Sequence, residues 1–165
     1  AVVGRLGPAG VARLEAARAA LQSELFACTM NAVRSPMAAA IMRHLAGHRI
    51  YVASAGVRAG EADPFVAQVM DEIGMDLSAH APRTLADLHD TSFDLIVTLS
   101  PEAHHQALEL TRTMAVDVEY WPTFDASLML GQANREQVLQ SYRSVRDGLF
   151  KRIKDRFHLM GGPTV

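Results

Sequence analysis

Cys28 and Arg34 are separated by five residues in Cys28-Thr29-Met30-Asn31-Ala32-Val33-Arg34-Ser35-Pro36, and a hydroxyl, Ser35, follows the arginine directly. The three side chains have complementary chemistry. A thiolate is a nucleophile, a planar guanidinium grips two oxygens of a tetrahedral anion at once, and a hydroxyl can donate a hydrogen bond to the sulfur. A lysine in place of Arg34 would offer a point charge without the fork. The combination suits attack on a phosphate-like centre, with the amides of Thr29, Met30, Asn31, Ala32 and Val33 lining the same concavity.

Such a site must be held by its flanks. Glu24-Leu25-Phe26-Ala27 reads as a short apolar strand, and residues 37–45 read as a helix with Pro36 at the favoured first position. A loop curling from a strand into a helix N-terminus collects backbone N–H groups at the positive end of the helix dipole. That field favours a thiolate and an oxyanion together.

Further strands are predicted over 49–56, 93–99 and 115–120. Asp63-Pro64 caps a helix closed by Gly74, Ser100-Pro101 opens another to about residue 111, and an amphipathic helix runs from Asn134 to about Arg156. Residues 75–88 read as irregular or partly helical. Strands alternating with helices imply an α/β fold of three layers, a four-stranded parallel sheet with helices on both faces. Ligands of such sheets bind beyond the carboxyl ends of the strands, where both Cys28 and the loop 121–131 fall. The expected division is an N-terminal helical extension over 1–23, a main domain over 24–158 and a tail over 159–165. From Pro8 to Gln22 the pattern is helical, with Val11, Leu14, Leu21 and Leu25 as its apolar stripe. This helix is expected to dock on its own domain, with a homodimer contact as the alternative.

Cys-x5-Arg-Ser-Pro on a strand, loop and helix resembles the low-molecular-weight protein tyrosine phosphatases, a fold shared by arsenate reductases, and the likeness runs from about Leu25 to Arg156. The resemblance implies cysteine-dependent hydrolysis of a phosphomonoester through a phosphocysteine, with Cys28, Arg34 and an acid as the catalytic group. Residues 29–35 then bind phosphate. Asp125, in the loop after the fourth strand, stands where the family carries its catalytic Asp; Asp63 looks like a helix cap and Asp117 lies within a strand. Asn31 matches a family Asn in a strained conformation, His80 a family His that hydrogen-bonds the loop, and Ser54 opens the Ser-Ala-Gly that follows the second strand. Trp121 and Phe124 are expected to wall the pocket or to pack in the core.

Three positions depart from the family pattern. Met30 replaces a Gly, Val33 replaces a second cysteine, and Ala126 replaces the Pro after the acid. The first would cost strain if its φ were positive, the second removes a partner that could protect an oxidised Cys28, and the third loosens the acid loop. Two alternatives follow: arsenate reduction recycled by an external thiol, and a phosphate-binding module of low activity.

Composition narrows the partners. A formal charge of −2 and nearly half hydrophobic residues point to neither nucleic acid nor a charged surface. The substrate is expected to be a phosphorylated protein or a small aryl phosphate. A single cysteine rules out a disulfide within the chain and suggests a reducing compartment, hence the cytoplasm. No apolar run approaches a membrane span. One cysteine without a coordinating histidine cluster gives no metal pattern, and no cofactor is expected.

Overall fold

The computed structural model describes residues 21–88 and 92–159; the expected helix within 1–23 and most of the expected tail lie outside the described residues. Four strands, β1 (Ser23–Cys28), β2 (Tyr51–Gly56), β3 (Leu95–Thr98) and β4 (Asp117–Tyr120), form one sheet in the order β2-β1-β3-β4. All three pairings are parallel. The helices between and after them are α1 (Arg34–Ala46), α2 (Pro64–Asp71), α3 (Pro101–Leu110) and α4 (Arg135–Phe157).

Alternation along β1 divides the core. Phe26 and Cys28 pack with Met37, Ile41 and Met42 of α1, Val69 of α2, and Tyr142, Leu149 and Ile153 of α4. Leu25 and Ala27 face the opposite way, onto Ala103 and Ala107 of α3. The sheet therefore carries α1, α2 and α4 on one side and α3 on the other, as the three-layer reading expected. After β2 the chain crosses β1 to add β3 on its far side. The carboxyl end of β1, where Cys28 sits, is thus the point at which strand order reverses, the usual ligand site of an open parallel sheet.

Helix starts follow local chemistry. Asp63 accepts from the Phe65 amide at 2.8 Å ahead of α2, Ser100 from Ala103 at 3.3 Å ahead of α3, and Asn134 pairs reciprocally with Gln137 at the head of α4. α1 differs: Val33 precedes it and offers no side-chain cap. α1 also starts earlier than expected, so Pro36 is its third residue, still within the turn whose N–H groups have no intrahelical acceptor. Gly47 ends α1 at φ 64°, and residues 47–49 form a 3-10 turn where the second strand was expected to begin. β3 and β4 are likewise shorter than the apolar runs that announced them. Within the expected loop 121–131, residues 126–129 make a 3-10 turn.

Glu24 is the unusual member of the core. It is fully buried on the α4 side of β1, and among the described residues neither carboxyl oxygen has a hydrogen-bond partner. Burial pushes its pKa up to about 8, with Glu119 adding to the shift and Arg156 opposing it.

Candidate active site

The loop leaving β1 is polarised. Most of its carbonyls are taken: Cys28 O by Val57 N at 3.1 Å, Thr29 O by Arg58 N at 2.8 Å, Met30 O by Gly60 N at 2.9 Å and Val33 O by Met37 N at 3.2 Å. His80 Nε2 lies 2.8 Å from Asn31 O, and a carbonyl partner makes that nitrogen the donor. By contrast, among the described residues no backbone N–H from Thr29 to Ser35 donates to a protein acceptor. Seven consecutive residues thus carry uncommitted amides beside a helix N-terminus that no side chain caps, leaving out Cys28 itself and the ring nitrogen of Pro36. This is the geometry of an anion cradle.

Asn31 fixes that shape. It is fully buried at φ 53°, a left-handed conformation that asparagine tolerates better than most residues. Its Nδ2 donates to Ser35 Oγ at 2.9 Å and to Ser54 Oγ at 3.0 Å, while its Oδ1 accepts from Arg83 N at 2.9 Å. Gly56 closes the back of the loop, since a Cβ there would lie 2.8 Å from Asn31 N and 2.6 Å from Arg58 O. Ser54-Ala55-Gly56 therefore serves twice, giving Asn31 a hydroxyl and letting two backbones touch.

Sγ of Cys28 is 2.9 Å from Ser35 Oγ. Ser35 Oγ already accepts from Asn31, and its other contact, Ala55 O, is farther at 3.4 Å. The single Ser35 proton is therefore best used toward the sulfur. Arg34 is largely buried; its Nη1 donates to Thr123 O at 3.0 Å, and its Nη2 lies 3.7 Å from Asp125 Oδ2. Asp125 Oδ1 accepts from the backbone and hydroxyl of Ser127 at 3.0 and 2.6 Å. One oxygen of Asp125 is thus pinned while the other faces Arg34.

The predicted residues fall as follows. Cys28, Asn31, Arg34, Ser35, Ser54, His80 and Asp125 gather around the loop. Thr29 Oγ1 donates to Ser100 Oγ at 2.9 Å and Val33 is buried. Met30 does not adopt a positive φ, so the expected strain is absent; its side chain is part exposed and lies against Gly60. Of the two aromatics, Trp121 is a core residue, packed edge-on to Phe26 and against Phe157, whereas Phe124 is exposed. Asp63 caps α2, as expected, and also accepts from the Tyr142 hydroxyl at 2.6 Å, a contact that with burial raises the Tyr142 pKa.

Three supports escaped the sequence. Arg83 holds Asn31 through its backbone and Ser54 O through its side chain at 3.0 Å, with no local pattern to announce it. Ser100 meets Thr29 only through the sheet. Ser127 had a signal, because Asp-x-Ser is an Asx-turn pattern. Among the described residues no cluster of three or more His, Cys, Asp or Glu side chains could hold a metal ion, and no helix is long and apolar enough to cross a membrane.

A parallel sheet with an anion loop at its reversal point, a cysteine on the loop floor and an arginine at its exit defines a cysteine-dependent phosphatase-like class. The family model for low molecular weight phosphotyrosine protein phosphatase matches residues 24–157, and the chain belongs to that family. An arsenate reductase of Halalkalibacterium halodurans is 33% identical over 129 residues, 78% of this chain and 90% of that protein. A glutaredoxin arsenate reductase of Synechocystis is 25% identical over 79 residues, 48% of this chain and 60% of that protein. The tyrosine phosphatase Wzb from Escherichia coli K30, solved with sulphate, superposes with a TM-score of 0.65 at 21% identity, covering 84% of this chain and 97% of that one. That likeness shows the fold.

Proposed function

We propose that the protein hydrolyses phosphomonoesters through a phosphocysteine on Cys28. The observation that carries this reading is the row of uncommitted amides from Thr29 to Ser35 above a sulfur that lies 2.9 Å from the Ser35 hydroxyl. In the first step the Cys28 thiolate attacks phosphorus, the S–P bond forms and the bond to the leaving oxygen breaks. Asp125, entering as the acid, gives its proton to that oxygen. In the second step water attacks phosphorus, the S–P bond breaks, and Asp125 takes the water proton, so one carboxyl serves twice. The amides and the Arg34 fork stabilise charge on the equatorial oxygens, and Ser35 stabilises the departing thiolate.

The rim supports an aryl substrate. Met30, Phe124 and Leu128 are exposed apolar side chains on the loop and on the segment carrying Asp125, and such surface suits a phenyl ring better than a sugar. Small aryl phosphates, with protein phosphotyrosine as the larger form, are the substrates proposed, in a reducing compartment such as the cytoplasm. The test is turnover of p-nitrophenyl phosphate by the parent and by Cys28→Ser, with mass spectrometry of rapidly acid-quenched enzyme. Phosphate on Cys28 in the parent and no turnover in the variant are expected; turnover surviving in Cys28→Ser would overturn the assignment.

The named arsenate reductases among the relatives support a second reading on the same cradle. Arsenate would be taken up by Cys28 with loss of water. An external thiol would then attack the cysteine sulfur, and the S–As electron pair would reduce As(V) to As(III), leaving a mixed disulfide for a second thiol to resolve. The chain has no other cysteine to do this internally. Arsenate-dependent oxidation of an added low-molecular-weight thiol, measured beside p-nitrophenyl phosphate turnover, separates the two.

A further inference from the structure

A second concavity lies behind the segment that carries Asp125. Trp121, Pro122, Thr123 and Phe124 form one wall and a stripe of α4 from Ser141 to Arg152 the other, around a volume of about 540 Å³, within the range of small-ligand sites. Thr123 separates it from the anion loop, because its carbonyl is turned the other way, onto Arg34.

Two features mark this groove as built to receive something. The first is charge. Among the described residues lining it, Arg152 is the only charged one and none is a carboxylate. On α4 the other arginines all reach a side-chain acceptor: Arg135 meets Gln68, Arg143 and Arg146 meet Glu72, and Arg156 meets Glu119. Among the described residues Arg152 is the one arginine of that helix without such an acceptor; it lies over the Trp121 ring, 4.9 Å from its centroid, and its charge adds only a minor part to holding the Glu119 carboxyl low. The second is the floor. Gly148 sits well inside a 23-residue helix, where glycine costs about 1 kcal/mol relative to alanine. Packing among the described residues does not require it, since none of their atoms lies within 4 Å of the place a Cβ would take.

We propose that this groove is a binding site for a small organic anion with a flat apolar body, such as an aryl carboxylate or sulfonate. The anionic group would pair with Arg152 and the ring would lie over Gly148 against Pro122 and Phe124. The site is independent of the chemistry assigned to Cys28.

The test uses the full chain and 8-anilinonaphthalene-1-sulfonate, with inorganic phosphate in excess to occupy the anion loop. Trp121 is the only tryptophan, so quenching of its emission and energy transfer to the dye report binding beside it. Saturable one-site binding is expected. Arg152→Gln should weaken it about tenfold, the scale of one charge-assisted contact, and Gly148→Met should abolish it. Neither variant should lower the parent melting temperature, Gly148→Met raising it by removing a glycine from the helix interior, and both should keep p-nitrophenyl phosphate turnover. Binding unchanged in either variant, unsaturable binding, no binding, or loss of the dye to excess phosphate would each overturn the proposal.

Discussion

Arg34 ties the two loops of the site together: from the exit of the anion cradle its Nη1 donates to the Thr123 carbonyl at 3.0 Å, two residues ahead of Asp125. The same guanidinium is thus aimed at the anion and at the segment that carries the acid. Arg34→Lys keeps the charge but cannot serve both directions through a planar fork. Turnover of p-nitrophenyl phosphate should fall by about 10²–10³, the cost of one lost oxyanion contact. Equal turnover in the two proteins would remove Arg34 from the chemistry.

Asp125 has one oxygen held by Ser127 and one beside Arg34. Asp125→Asn cannot protonate a leaving group. Rates on an alkyl or phenyl phosphate should fall by about 10²–10⁴, and rates on an ester with an acidic alcohol much less. A uniform effect across leaving groups would point to a positioning role.

Asn31→Ala removes donors to Ser35 and Ser54 and the acceptor of Arg83, and it forces alanine to hold φ 53°. Loss of about 1–3 kcal/mol of stability is expected, read by urea unfolding, together with weaker phosphate binding. Full retention of both would mean that the loop holds its shape without this residue.

Glu24 predicts an inverted pH dependence. Its carboxyl has an ordinary value of 4.5 and is pushed up to about 8 in the folded chain by burial. Above about pH 4.5 the unfolded chain releases this proton while the folded chain keeps it. Glu24 therefore subtracts stability as pH rises toward about 8, and its contribution levels off beyond that. At about 1.4 kcal/mol per pH unit, the loss across the window is on the order of 5 kcal/mol at most. Glu24→Gln should flatten that slope in urea unfolding followed from about pH 5 to about pH 8. An unaltered slope would show that Glu24 titrates as an exposed carboxyl.

What the sequence made legible was local. Asp63-Pro64, Ser100-Pro101 and Asn134 announce helix starts because the capping bond spans two or three residues, and Gly47 announces an end because its φ is positive. Cys28, Arg34 and Ser35 lie on one loop, so spacing alone gathers them. Asp125 and His80 were reached through family likeness, since only the sheet brings them to Cys28. Arg83 and Ser100 depend on contacts across more than fifty residues, which no short pattern encodes. Trp121 illustrates the reverse limit. Its aromatic ring suited a pocket wall equally well, and only its packing against Phe26 and Phe157 decided for the core. Glu24 was legible only as a member of the first strand, because a lone carboxyl in an apolar run gives no hint of how it will be covered.

Most carbonyls of the Cys28–Val33 loop are clamped by Val57, Arg58, Gly60, His80 and Met37 before any anion arrives. Association with inorganic phosphate therefore spends little entropy on ordering the receptor. Under the phosphatase reading proposed above, the same rigidity would make the released phosphate an inhibitor, and phosphate in the buffer should raise the melting temperature in a concentration-dependent way.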